Sequence, residues 1–141
     1  MNALARRILA VLRQQPVVGF ATVSEAGRPW LRWVTVVAGP DLSLRFATSL
    51  KSRKVAHLRH NPAVHILSGP GQWTADAPFV QAAGRAAIIT DAQAKQDFWR
   101  PALGRYWSDA GDPDYCVIQV TPSHVEFYSF GNQQPEVLDL P

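Results

Sequence analysis

Apolar residues recur at helical spacing near the N-terminus, at Leu4, Ile8, Val11 and Leu12, and Asn2 and Pro16 bracket them. The spacing predicts a helix over 2–15, capped by Asn2 and stopped by the proline. The period then shortens. VVGFATV (17–23) is rich in β-branched residues and runs into the turn Ser24-Glu25-Ala26-Gly27-Arg28-Pro29. WLRWVTVV (30–37) follows directly, so the two stretches predict a hairpin. After Gly39-Pro40-Asp41, LSLRFAT (42–48) alternates apolar and polar residues as a half-buried strand does.

The segment 49–61, SLKSRKVAHLRHN, is polar with Val55 and Leu58 three apart; it reads as a short helix opened by Ser52 and closed by Pro62. AVHILSG (63–69) is a strand and 70–78 a loop. FVQAAGRAAII (79–89) is a longer strand in which Gly84 marks a bulge or bend. DAQAKQDFWRPALGRYW (91–107) is helical and broken or kinked at Pro101. YCVIQV (115–120) and HVEFYSF (124–130) read as the last strands, separated by the turn Thr121-Pro122-Ser123, and the polar residues from Asn132 onward read as a loose tail. Six or seven short, mainly antiparallel strands with three helices, and no regular βαβ alternation, predict a mainly β (α+β) domain over 1–131 followed by the tail 132–141. A small barrel would remove the edges of so many strands.

Composition narrows the class. The chain of 141 residues is 47% hydrophobic and 18% charged, in the globular range. No apolar run approaches the roughly 20 residues of a spanning helix, and the N-terminus lacks the pattern of a signal peptide. A cytoplasmic protein away from membranes is the expectation. The single cysteine, Cys116, sits in an apolar run and reads as a buried thiol; it rules out an internal disulfide or a multi-cysteine zinc site. The net charge is +3, carried by eleven arginines and three lysines against eleven acidic residues. Arginine grips phosphate through a planar fork, and a mild surplus fits a phosphorylated ligand as well as a nucleic-acid surface.

The densest candidate chemistry is Thr48-Ser49-Leu50-Lys51-Ser52-Arg53-Lys54, which leaves a strand and enters a helix N-terminus. It gathers hydroxyls, cations and free N–H groups, the makings of an anion site. Cations in the first helical turn oppose the helix dipole, a conflict that a bound dianion resolves; a solvated turn with an ordinary cap is the competing reading. Arg32 tips the choice, because it lies in the preceding strand and a neighbouring strand can direct it toward the same anion. His57, His60 and His65 have no thiolate or carboxylate at ligand spacing, so exposed or core-edge histidines are the better reading than a metal site. No nucleophile elbow, P-loop or dinucleotide fingerprint occurs, and no carboxylate pair points to hydrolytic acid–base work. Five tryptophans and six phenylalanines fit a plain core, but so many large aromatics on a chain with limited interior also point to a ligand wall or a dimer interface.

Two segments carry a family resemblance. Gly27-Arg28-Pro29-Trp30-Leu31-Arg32-Trp33-Val34 resembles the G-x-P-x-x-R-x-V strand of the pyridoxine/pyridoxamine 5′-phosphate oxidase family. Phe46-Ala47-Thr48-Ser49-Leu50-Lys51-Ser52-Arg53-Lys54, closed by Asn61-Pro62, resembles that family's F-x-T-x-x-x-S-R-K…N-P segment. The order and spacing match across 17–69, and looser similarity continues through Gly84, Trp99, Trp107, Gly111-Asp112-Pro113 and Val125-Glu126-Phe127-Tyr128. Overall length and the Trp-rich helix are most similar to the general-stress-protein branch of these FMN-binding split barrels. The resemblance implies a six- to seven-stranded split β-barrel homodimer with flavin at the subunit interface. It assigns the FMN phosphate to Arg32, Arg53 and Lys54, with hydroxyls from Thr48 and Ser52. Backbone groups of Trp33 and Val34 would meet the isoalloxazine edge, with Ala47 on the same wall. Separately from the resemblance, aromatics are expected to wall the remaining pocket, with Trp107, in one reading from the partner subunit, as the first candidate.

Three departures bear on substrate. Phe79 stands where the oxidases place a flavin-contacting glutamine, Val36-Val37 where they carry a lysine, and the R-x-H segment that grips pyridoxal phosphate is missing after Phe127-Tyr128. The expectation is an FMN-dependent oxidoreductase, with no catalytic side chain and no metal, acting on a small, flat substrate and turning over pyridoxamine phosphate negligibly. Chemistry would reside in the flavin, with the protein orienting it. Two alternatives compete: a non-catalytic binding or stress-sensing module for flavin, deazaflavin or haem, and a basic barrel for single-stranded nucleic acid. The latter is the weakest, because the cations concentrate in one phosphate-sized cluster instead of a track.

Overall fold

The chain curls one antiparallel sheet back on itself. In the computed structural model, which describes residues 1–71 and 76–141, the strands are β1 (Val17–Val23), β2 (Pro29–Thr35), β3 (Val37–Ala38), β4 (Leu44–Ser49), β5 (Ala63–Ser68), β6 (Phe79–Ile89), β7 (Tyr115–Tyr128) and β8 (Glu136–Asp139). Their hydrogen-bonded order is β2-β1-β5-β6-β7-β4-β3, with β8 added to β7. The two ends of this path, β2 and β3, are separated in sequence by Val36 alone. The sheet must therefore roll until its first and last strands approach, which makes it a split β-barrel, as the resemblance implies.

Val36 is where the stretch 30–37, expected as one strand, divides. Its N–H bonds to the Pro16 carbonyl at 2.8 Å and its side chain is buried, so β2 leaves β1 and the chain re-pairs as β3 with β4. The predicted hairpin of β1 and β2 forms, with pairs running from Val17 opposite Thr35 to Val23 opposite Pro29. Gly27 makes its turn at φ +77°, a left-handed conformation that glycine adopts without steric cost.

Three helices cover the sheet. In α1 (Ala3–Gln14) the Asn2 side chain accepts the Ala5 N–H at 2.7 Å, and Ala5, Ile8, Leu9, Val11 and Leu12 are buried toward β3, β6 and β8. Helix α2 (Arg53–His60) packs Val55, His57 and Leu58 against β1 and β6. Helix α3 (Ala92–Phe98) is capped by Asp91, whose carboxylate accepts the Ala94 N–H at 2.9 Å. It stops before Pro101, and Pro101–Arg105 form a separate 3-10 turn, so the helical stretch expected over 91–107 is two pieces. Inside the barrel, Phe20 and Phe46 meet edge to face at 5.0 Å, the geometry favoured by aromatic quadrupoles. A second apolar cluster joins Phe98, Ala110, Tyr115 and Val117 under α3.

Two expectations at the C-terminal end are corrected. Thr121-Pro122-Ser123 does not separate two strands; β7 runs unbroken through it. Pro122 pairs with Gly84 and His124 with Ala83, leaving Ser123 as the extra residue of a bulge. A Cβ on Gly84 would lie 2.5 Å from the Thr121 carbonyl oxygen and 2.9 Å from Pro122 Cα, so the bulge needs glycine there. The tail is not loose throughout either: Glu136–Asp139 pair with 124–127 of β7. There the His124 imidazole reaches Asp139 at 2.7 Å and Glu126 at 2.9 Å, and Arg7 binds Glu136 through both carboxylate oxygens. The predicted loop 70–78 lies partly outside the described residues.

Candidate phosphate-binding cleft

Residues alternate across β2, so Trp30, Arg32 and Val34 share one face and Leu31 and Trp33 the other. The first set turns toward the barrel beside the N-terminus of α2. There Trp30, Leu31, Arg32, Arg53 and Lys54 line an open cleft of about 330 Å³. The strand β2 supplies Arg32 and the start of α2 supplies Arg53 and Lys54, the convergence expected from the sequence.

Arg32 is half-buried. Its Nη1 donates to Thr22 Oγ1 at 2.7 Å and to the Phe20 and Trp30 carbonyls at 3.3 Å each. Among the described residues no internal bond uses its Nε or Nη2. The Arg53 guanidinium stacks over the Trp30 ring at 5.0 Å, which fixes it at the cleft wall. Among the described residues no carboxylate forms an ion pair with any of the three cations. Burial, and then the Arg53 charge, lowers the pKa of Arg32; burial, and then the Arg32 charge, lowers that of Lys54. Three positive groups thus sit together, with Arg32 and Lys54 partly desolvated and Arg53 exposed, and they repel one another. A dianion removes that repulsion, so the donor set fits a phosphate monoester.

The turn between β4 and α2 leads into the helix start that carries Arg53 and Lys54. Ser52 occupies the N-cap position but its side chain caps nothing; the Thr48 hydroxyl donates to Ser52 Oγ at 3.4 Å. The expected cap bond is therefore absent, and these hydroxyls stand near the first helical turn. Ser49 is committed elsewhere: its hydroxyl donates to the Asp114 carboxylate at 2.7 Å, while the Leu50 N–H binds the Asp114 carbonyl at 2.8 Å. Asp114 also accepts from the Trp107 indole at 3.3 Å and so ties the turn to the aromatic cluster.

The remaining predicted positions fall elsewhere in this chain. Val34 is buried in the barrel core, and Ala47 and Trp107 pack on the second cluster beside Tyr115. Trp33 is on the outer face, 70% exposed. Phe79 stacks flat on Tyr128 at 4.5 Å. Sequence reasoning missed Trp30 as a wall, although its spacing of two from Arg32 puts it on the same face. It also missed His57, which is buried and within 2.8 Å of Thr22 Oγ1 through Nδ1. His57 follows Arg53 by four residues, one helical turn, and that spacing could have revealed it. Cys116 is buried and its thiol is pushed up to about 11, first by burial, which agrees with an unreactive side chain.

An antiparallel split barrel with a cationic cleft between β2 and the start of α2 defines the class of fold and site. Residues 4–129 match the family model described as pyridoxamine 5′-phosphate oxidase, and the chain belongs to that family. It is 28% identical over 137 residues to General stress protein 26 of Bacillus subtilis, a match covering 97% of this chain and 96% of that one. The crystal structure of General Stress Protein 26 from Bacillus anthracis superposes with a TM-score of 0.82 at 26% identity, covering 99% of this chain and all of the other. Two more distant structures share the fold. A pyridoxamine 5′-phosphate oxidase-related, FMN-binding protein from Nostoc punctiforme has a TM-score of 0.74 at 16% identity, covering 97% and 90% of the two chains. A heme-binding protein from Mycobacterium smegmatis has a TM-score of 0.74 at 18% identity, covering 99% of this chain and 59% of that one. No helix among the described residues is long and apolar enough to cross a membrane.

Proposed function

We propose that this protein binds FMN and works as a flavin-dependent oxidoreductase on a small, flat substrate. The observation that carries the reading is the cluster of Arg32, Arg53 and Lys54 around one cleft without a carboxylate partner. These side chains would hold the phosphate, Thr48 and Ser52 would add hydroxyl donors, and Trp30 would flank the flavin's polar tail. Bound flavin would supply hydride chemistry; the protein would bind, orient and shield it. The described cleft contains no carboxylate or exposed imidazole to serve as an acid or base, so no catalytic side chain is assigned.

A homodimer is part of the proposal. On the outer face of β1, β2 and β5, Val17, Leu31, Trp33 and Leu67 are all exposed, with Leu31 leaning over Gly19. Leu31 belongs both to this apolar face and to the cleft, so a second copy docked on the face would wall the flavin site, with its Trp107 as the candidate aromatic wall. The heme-binding relative in fold keeps a second reading open, a non-catalytic carrier of a planar cofactor. Titration of the purified protein with FMN and with haem, followed by a nicotinamide donor, separates the two. Tight FMN uptake and bleaching by the donor support the first; haem binding with no FMN uptake supports the second.

A further inference from the structure

Thr22 Oγ1 stands between two partners, 2.7 Å from Arg32 Nη1 and 2.8 Å from His57 Nδ1. A guanidinium only donates, so the hydroxyl oxygen accepts from Arg32. Thr22 is 1% exposed, and among the described residues its hydroxyl proton has one acceptor within reach, His57 Nδ1. The arrangement is satisfied when the imidazole is neutral, with its proton on Nε2 and a bare Nδ1. The charges around His57 favour the same state: Arg32 on β2 and Arg53 on its own helix outweigh Glu25 in the β1–β2 turn. With burial as the largest cause, its pKa is lowered.

We infer that His57 is a positioning residue of the phosphate site: through Thr22 it holds the Arg32 guanidinium by Nη1, so that Nε and Nη2 remain turned to the ligand. The geometry has two parts, one on β1 and one on α2, and neither touches the cleft. Their joint effect is to fix a long side chain that would otherwise lose rotamer freedom on binding. The inference rests on the phosphate reading of the cleft, but the tautomer it demands exists without any ligand.

The test has two arms. Imidazole ¹⁵N spectra of the ligand-free protein should show His57 with a pyridine-type Nδ1 and a pyrrole-type Nε2, and Thr22→Val should shift the Nδ1 signal. Equilibrium binding of FMN and of riboflavin, which lacks the phosphate, should then be compared across variants. His57→Leu fills the space without an acceptor and should weaken FMN about 3- to 10-fold while leaving riboflavin unchanged. His57→Asn restores an acceptor near Nδ1 and should recover most of the loss. Thr22→Val should reproduce the His57→Leu loss, and the double variant should lose no more than either. Equal weakening of both ligands would mark mere packing and overturn the inference, as would a protonated Nδ1 or an unaffected His57→Leu. Wild-type protein that binds FMN no better than riboflavin would instead overturn the phosphate reading itself.

Discussion

At the scale of single residues, the cleft is a concentration of like charge held by neutral partners. On the proposed reading, Arg53→Ala or Lys54→Ala would each remove a charge-assisted contact to a dianion, with an expected cost of roughly 1.5–3 kcal/mol, or about 10–150-fold in FMN affinity. Circular dichroism should not change, because Arg53 is exposed and Lys54 only half-buried. Arg53 and Lys54 were legible in the sequence because a first helical turn rarely carries two cations without a reason. Thr22 was not, since a lone threonine in a strand carries no pattern until the fold brings it to Arg32; for His57 the sequence offered only its place one helical turn after Arg53. A different histidine gives a pH prediction. Bonds to Glu126 and then Asp139 raise the pKa of His124. A raised folded pKa adds stability that is fully present below the unfolded value of about 6.5 and is lost as pH rises through the folded one. Thermal melts of wild type and His124→Gln should therefore differ most in mild acid and converge in alkaline buffer; a gap independent of pH would show that the imidazole charge does not clamp β8.

Among the elements, β6 and β7 show how two local signals can be one structural feature. Gly84 reads as a bulge and Thr121-Pro122-Ser123 as a turn, yet they face each other across one ladder, where the glycine lets the proline strand pass without turning. Short-range pattern cannot show that, because the partner lies almost forty residues away. Gly84→Ala should destabilise by about 1–3 kcal/mol, since its Cβ would meet main-chain atoms and not a flexible side-chain end. Chemical denaturation reads the effect, and an unchanged midpoint would mean that the bulge relaxes freely. β8 was illegible for a related reason: its four residues gain order from Arg7, His124 and the exposed edge of β7, none of them local. The first helix, β5 and the β1–β2 hairpin up to the break at Val36 were legible because each carries its own period and its own stop signals.

For the whole molecule, barrel closure sets the site. β2 brings Arg32 to the rim, the β4–α2 turn brings Arg53 and Lys54, and the curl of the sheet makes the two meet. The outer face of β1, β2 and β5 should carry the dimer. Trp33→Asp and Leu67→Asp should each yield monomers by light scattering at micromolar concentration and weaken FMN at the same time. Added FMN should raise the melting temperature of wild type, equivalent to roughly 2.7 kcal/mol at a hundredfold excess over Kd. A wild-type monomer, or a melting temperature that ignores FMN, would contradict the assembly. On the proposed reading the three clustered cations hold the cofactor, so the cleft should not support pyridoxamine 5′-phosphate turnover, and pyridoxal phosphate formed at about 1 s⁻¹ or faster would contradict that expectation.

The central claim is that the cationic cleft holds the phosphate of FMN. Its most direct test is the absorption spectrum of the purified protein after saturation with FMN and removal of free ligand, with the retained cofactor identified after denaturation. The account predicts the two flavin bands and FMN retained in stoichiometric amount, lost when Arg53 and Lys54 are both replaced by alanine. A protein that retains no FMN, or one whose double variant retains as much as wild type, would contradict it.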